Sequence, residues 1–314
     1  MNLQVDSKAC NQKVLAYITA YEDYPAVNNC VEALNNQSFS VTKILIIDNS
    51  SSQPVFISND DKVIIQKHPE NIGISGGLNI AFKFAIEKNY DFIWTFDQDS
   101  IPQKDCLEKL LKEYKIKLNT NYPIGIIAPV SIDTRTNKII QGATFIKDHF
   151  TGCQHLSKNH AYECDAPITS GSLIPTTVAK KNPLPDIDLF IDGIDMDYGL
   201  RLKQNGYHNL IVPKAILEHK FGNPIKVKFF QQESFIQVYS ALRHYYICRN
   251  HTYLSTRHAK GFYKLTGCLR RLKYMIHSIY LILLYETEQK LLKVWACFKG
   301  TIDGFQGNLG KNWY

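Results

Sequence analysis

Phe92-Ile-Trp-Thr-Phe-Asp97-Gln-Asp-Ser100 is an apolar run that stops abruptly on two carboxylates. A short run without polar alternation, rich in aromatic and β-branched residues, reads as a strand buried on both faces. Three more runs of the same kind precede it: Val14-Leu-Ala-Tyr-Ile-Thr19, Lys43-Ile-Leu-Ile-Ile-Asp48 and Lys62-Val-Ile-Ile-Gln66. Between them the apolar spacing becomes helical. Tyr24 to Gln37 places Val27, Val31 and Leu34 on one face, and Ser75 to Asn89 groups Leu78, Phe82, Ala85 and Ile86. Buried strands alternating with amphipathic helices predict an α/β chain with a Rossmann-like, mostly parallel, doubly wound sheet. Ligands bind beyond the carboxyl ends of such strands. The ends marked Asp48-Asn-Ser-Ser51 and Asp97-Gln-Asp-Ser100 are therefore where a site is expected.

The pattern changes after Ile124. Ile124–Pro129, Lys138–Gly142 and Ile168–Ile174 are shorter and turn-bounded, which predicts a mixed second half of the sheet. Asp195 to Asn205 reads as a helix with Gly206 just past its end, where a left-handed residue is favoured. Beyond Gly222 the chain is helical and aromatic.

Bulk properties narrow the function. The chain has 314 residues, 45% of them hydrophobic, enough for one large domain with an appendage. Arg257 to Lys299 carries nine Lys and Arg against Glu286 and Glu288, which equals the whole net charge of +7. A balanced body with one basic tail points away from nucleic acid and towards a single anionic surface. The eight cysteines include no Cys-x-x-Cys pair, so zinc spacing is absent and reduced thiols are expected. Met1 to Lys13 is polar and reads as no signal peptide. The longest uncharged apolar run, Tyr274 to Tyr285, falls short of the roughly 20 residues a spanning helix needs.

Four constellations carry chemistry. Asp97-Gln98-Asp99 sets two carboxylates at i and i+2 on one side of an extended chain, suited to a hard divalent cation. A surface turn is the ordinary alternative. Asn71-Ile-Gly73-Ile-Ser-Gly76-Gly77-Leu-Asn79 permits close backbone approach, and the helix after it would offer free N–H groups to an anion. A ligand-free turn is an equal reading. Asp192-Gly-Ile-Asp195-Met-Asp197 clusters acids at a helix start, either as an N-cap and dipole complement or as a general base. His219 is a candidate nitrogen ligand only if Asp99 already holds a metal.

In this order the four resemble family 2 glycosyltransferases of the GT-A fold, in the bacterial rhamnosyltransferase-like branch. The resemblance runs from about Val14 to Leu254. It rests on Thr19-Ala-Tyr-Glu22, Ile47-Asp-Asn-Ser50, the Asn71–Asn79 stretch, Phe96-Asp-Gln-Asp99, Phe190-Ile-Asp-Gly-Ile-Asp-Met-Asp197, Leu217-Glu-His219 and Tyr245-Tyr-Ile-Cys-Arg-Asn250. It implies a nucleotide pocket lined by Thr19, Tyr21 and Glu22. Asp48 would bond the pyrimidine, and Asn71, Gly73, Gly76, Gly77 and Asn79 would border the nucleotide and diphosphate. Asp97 would sit near the ribose and metal-bound water, Asp99 and His219 would ligate Mn²⁺ or Mg²⁺, and Asp195 would be the catalytic base. The implied activity is metal-dependent, inverting transfer from dTDP-L-rhamnose, or from another dTDP- or UDP-sugar, to a polyprenyl-linked saccharide in surface polysaccharide synthesis. A catalytically inactive relative would be expected to lose Asp99 or Asp195, and both are present.

Residues 1–255 are expected to form the catalytic domain and 256–314 a basic amphipathic helical region. That region reads as a packed helical hairpin, a peripheral anchor on the inner face of the cell membrane of a cytoplasmic enzyme, or a homodimer surface.

Overall fold

A computed structural model describes residues 12–57, 60–154, 157, 159–229 and 232–313. Most of the polar N-terminal stretch, with Cys10, lies outside them. The remaining seven cysteines are free thiols.

The four apolar runs become β1 (Val14–Ala20), β2 (Lys43–Asp48), β3 (Val63–Lys67) and β4 (Phe92–Asp97), with α1 (Tyr24–Asn35) and α2 (Gly73–Glu87) as crossovers. All their pairings are parallel, in the order β3-β2-β1-β4. Then follow β5 (Ser100–Pro102), α3 (Cys106–Leu118), β6 (Ile124–Asp133), β7 (Ile139–Ile140), the hairpin β8 (Ala143–Ile146) and β9 (His149–Gly152), β10 (Tyr162–Glu163), β11 (Leu173–Pro175) and α4 (Thr176–Lys181). After α5 (Ile194–Gln204) and β12 (His208–His219) a second hairpin, β13 (Pro224–Phe229) and β14 (Gln232–Gln237), leads to three helices: α6 (Ala241–His258), α7 (Tyr263–Tyr285) and α8 (Lys290–Gln306). The sheet continues from β4 through β11, β6 and β12. There β11 runs antiparallel to both its neighbours while β12 lies parallel to β6. The mixed second half is as the sequence predicts.

Both faces of β1 are buried because successive side chains alternate. Val14, Ala16 and Ile18 pack with α1 and α3 through Val27, Leu34 and Leu107, and Leu15 and Tyr17 pack with α2 and α5 through Leu78, Phe82 and Tyr198. Two apolar layers clamping one sheet explain the missing polar alternation in these strands.

Two expectations shift. The α2 helix begins at Gly73 rather than Ser75, so Gly76 and Gly77 lie inside it. Glycine is unfavourable there by about 1 kcal/mol against alanine, and at Gly77 tertiary packing explains it. A Cβ on Gly77 would collide with the Tyr17 hydroxyl, and one on Gly73 with the ring and carbonyl of Phe190. The division at 255/256 falls within α6. Gly300 and Gly304 of α8 lie against the Tyr245 and Arg249 carbonyls of α6, so a side chain at either would clash.

Candidate active site

Strand pairing assembles the acidic cluster. β5 follows β4 directly and runs antiparallel to the end of β12, with Ser100 opposite His219. The pairing sets His219 between the two carboxylates: Nδ1 is 3.3 Å from Asp99 Oδ1 and Nε2 is 3.9 Å from Asp97 Oδ2. Both acids keep about a third of their side chains open to the cleft (31% and 32%), while His219 is 7% exposed. His219 is oriented from behind, its Nδ1 2.6 Å from the Ser100 hydroxyl, which accepts in turn from Ser170 Oγ at 2.6 Å. Burial pushes the Asp99 carboxyl up, the His219 charge opposes this, and repulsion from Asp97 adds to it.

Two close carboxylates flanked by an imidazole form a donor set suited to Mn²⁺ or Mg²⁺. Among the described residues no three His, Cys, Asp or Glu side chains are grouped as a ready-made metal shell. Asp97 and Asp99, beside His219, are the residues that would hold such a cation.

A cleft of about 580 Å³ opens over these acids, lined by Thr19, Tyr21, Asn49, Asn71, Gly73, Asp97, Asp99, His219 and Arg243. Gln98 ties its two edges together, accepting from the Tyr21 N–H at 2.7 Å and donating to the Tyr21 carbonyl at 3.1 Å. Two residues expected to face this cleft are committed elsewhere. Asp48 is fully buried, and its carboxylate accepts from the backbone N–H groups of Ser50 (3.0 Å) and Val55 (2.7 Å). Glu22 accepts from the N–H groups of Ser51, Ser52 and Gln53 at 2.7–2.9 Å, which holds its carboxyl below the usual range. Both shape the loop after β2. Its neighbour Asn49 is the residue that reaches the cleft, its side chain accepting from Ile72 N–H at 3.0 Å.

The glycine-rich stretch does not present a free anion cradle. Gly73 N–H donates to Asn71 Oδ1 (3.0 Å) and Ser75 N–H to the Phe190 carbonyl (3.1 Å), which occupies two first-turn donors of α2. Asn79 donates to the Pro185 carbonyl at 3.2 Å. Asn71 and Gly73 border the cleft, whereas Gly76, Gly77 and Asn79 serve packing.

A second chamber of about 280 Å³ adjoins the cleft and shares Asp97, His219 and Arg243 with it. Asp195 lies here, together with Gln141, Thr169, Tyr239, His251 and Tyr274. Asp195 opens α5 but does not cap it, and neither does Asp192: the cap is Gly193, at φ +75°, with no side-chain hydrogen bond. The three acids of the motif have separate fates. Asp192 forms an ion pair with Arg243 at 3.2 and 3.3 Å. Asp197 is buried and accepts from Arg201 Nε at 2.8 Å. Asp195 accepts from the Met196 N–H at 2.9 Å and, among the described residues, has no ion-pair partner within 4 Å as the other two do. Burial pushes its pKa up to about 6 against that bond, helped by the Asp192 charge. It is the acid whose proton is poised for exchange near neutral pH. Burial and the Arg271 charge push His251 down to about 3, so its imidazole is neutral. Arg243, His251 and Tyr274 were missed in the sequence because they sit on helices whose spacing reads as packing.

The sequence profile described as Glycosyl transferase family 2 matches residues 16–172, half of the chain. A curated relative, the dTDP-rhamnosyl transferase RfbF of Shigella flexneri, is 24% identical over 309 residues, covering 97% of this chain and 99% of the relative.

Proposed function

This chain belongs to glycosyl transferase family 2, and from that premise we propose that it transfers L-rhamnose from dTDP-L-rhamnose, with inversion, to a hydroxyl of a lipid-linked saccharide used in surface polysaccharide synthesis. The observation that carries the reading is the division of the site. The larger cleft has the acids and Arg243 suited to a nucleoside diphosphate, and the smaller chamber has Asp195, a carboxylate away from that acid pair whose pKa is raised to about 6. The rhamnosyl donor is supported by the name of the relative that matches over nearly its full length.

Thr19, Tyr21, Asn49 and Asn71 would border the nucleotide, with the diphosphate directed at Asp97, Asp99 and Arg243. A divalent cation, Mn²⁺ or Mg²⁺, held by Asp97 and Asp99 beside His219 would neutralise charge on the departing diphosphate. The Arg243 guanidinium, held at the chamber boundary by Asp192, faces the same charge. An acceptor sugar would enter the chamber between Tyr239, Tyr274 and the neutral His251. Asp195 takes the proton from its hydroxyl, and the oxygen attacks the anomeric carbon from the face opposite the diphosphate. One displacement inverts the configuration, so no covalent nucleophile is needed.

The C-terminal helices support peripheral attachment to an anionic membrane. Leu265, Leu269 and Ile276 of α7 and Leu291, Trp295 and Phe298 of α8 expose 45–83% of their surface. Arg270 and Lys273 are exposed beside the α7 row. Among the described residues no helix is long and apolar enough to cross a membrane. Exposed rings with bordering cations suit a helix lying in a lipid interface, and a second copy of the chain is the competing occupant of that face.

The donor is tested by thermal stabilisation with dTDP, UDP and GDP, each with and without Mn²⁺. Metal-dependent stabilisation led by dTDP is expected. Preference for UDP would move the donor to a UDP-sugar such as galactofuranose or glucose. No response from folded protein would favour an inactive relative.

A further inference from the structure

The loop that delivers Asp195 is held in a conformation that its own residues do not favour. Phe190 (φ +61°), Asp192 (φ +65°) and Gly193 (φ +75°) all lie in the left-handed region, and two of them carry side chains. Such backbone persists only where its surroundings over-determine it. Here the surroundings are two adjacent residues of α6, Arg249 and Asn250, both fully buried.

Asn250 Nδ2 lies 2.8 Å from each of three loop carbonyls, those of Leu189, Ile191 and Asp192. Arg249 Nη2 donates to the carbonyls of Asp188 (2.9 Å) and Leu189 (3.1 Å). Arg249 Nε donates to Asn250 Oδ1 at 2.8 Å, which fixes the amide with its N–H groups towards the loop. The Tyr246 ring lies 4.6 Å from the guanidinium carbon. The C-terminal segment closes the arrangement: Arg249 Nη1 donates to the Gly310 carbonyl, and Gly310 N–H donates back to Asp188 at 2.7 Å. Neither Arg249 nor Asn250 lines the cleft or the chamber. A buried guanidinium and amide are costly to desolvate, and every main-chain carbonyl they bond except that of Gly310 belongs to one short loop.

We propose that Arg249 and Asn250 are positioning residues for the transfer reaction, holding Asp188–Gly193 so that Asp195 faces the acceptor chamber. The proposal rests on the reading of Asp195 as the base. It assigns a role to the Arg249-Asn250 pair that touches neither donor nor acceptor. It also makes the C-terminal segment through Gly310 part of the catalytic unit.

The test is a double-mutant cycle on the full-length protein, read as dTDP release from dTDP-L-rhamnose with water or an octyl glycoside as acceptor. Asn250→Ala should keep dTDP affinity within about twofold while kcat falls about 100-fold, the loss expected from a base displaced by about an ångström. In the Asp195→Asn background the same substitution should slow turnover by less than about twofold, because the two act through one group. Asn250→Ser, which keeps a donor but reaches fewer carbonyls, replaces the alanine variant if that fails to fold. A kcat within about threefold of wild type in the single variant, or the full loss repeated in the Asp195→Asn background, would overturn the positioning role. Wild-type turnover by Asp195→Asn alone would instead overturn the reading of Asp195 on which it rests.

Discussion

Replacing Asp195 by asparagine should stabilise the fold while abolishing transfer. Burial raises the Asp195 pKa from 3.8 to about 6. A shift of about two units at 1.36 kcal/mol each sets a ceiling of about 3 kcal/mol on the cost of keeping this carboxylate ionised in the folded chain. Two effects lower that figure. Asp195 is half-buried, with one side towards the chamber, and its charge is favoured at the α5 N-terminus by about 0.5 kcal/mol. Asparagine is isosteric and still accepts from the Met196 N–H, so a net gain of about 2 kcal/mol is expected above pH 6. The sign follows from proton binding. Between about pH 4 and pH 6 the folded chain holds a proton that the unfolded chain has released, so this group's contribution to wild-type stability falls as pH rises through that window. The variant lacks the titration. Its melting temperature should exceed wild type by about 4 °C at pH 7.5, and the difference should vanish near pH 4. Circular dichroism melts of both proteins at the two pH values measure it. An equal or lower melting temperature at pH 7.5, or a gain of the same size at both, would show that the buried Asp195 charge does not destabilise the fold.

Three further outcomes are expected. The pH–rate profile of kcat/KM should rise with an apparent pKa near 6, because the base must be ionised, and the rise should be absent from the residual rate of Asp195→Asn. Ser100→Ala removes the hydroxyl that orients His219. It should weaken Mn²⁺-dependent stabilisation by dTDP about 10- to 100-fold, the usual cost of losing an outer-shell partner, and leave metal-free dTDP binding unchanged, both read by calorimetry. Gly77→Val should destabilise the protein by about 2 kcal/mol through overpacking against Tyr17 and Ile47, measured by urea unfolding; a neutral effect would remove the packing account of that glycine.

The first half of the fold was legible because β1, β2 and β4 are buried on both faces, and such strands show the fact directly in composition. Gly76 and Gly77 were harder. Glycine lowers helix propensity, so the stretch read as a loop, whereas Gly77 is required by the Tyr17 hydroxyl on a different strand and Gly76 lies against Ile72 of its own stretch. Asp48 and Glu22 stand at strand ends where ligand-binding acids belong, but a sequence does not say which backbone amides will reach a carboxylate first. Asp97, Asp99 and His219 were singled out by residue type and order, and their convergence depends on the register of β5 against β12. His251 and Tyr274 carried no signal, because a helix face turned towards a chamber has the same spacing as one turned towards a core.

In the proposed reaction Asp195 activates an acceptor hydroxyl for displacement at the sugar of a bound nucleotide donor. The most direct test compares wild type and Asp195→Asn in dTDP release from dTDP-L-rhamnose at saturating donor with Mg²⁺ present. Wild type should turn over and the variant should lose at least about 100-fold, with dTDP affinity unchanged. Comparable turnover by the two proteins would contradict it.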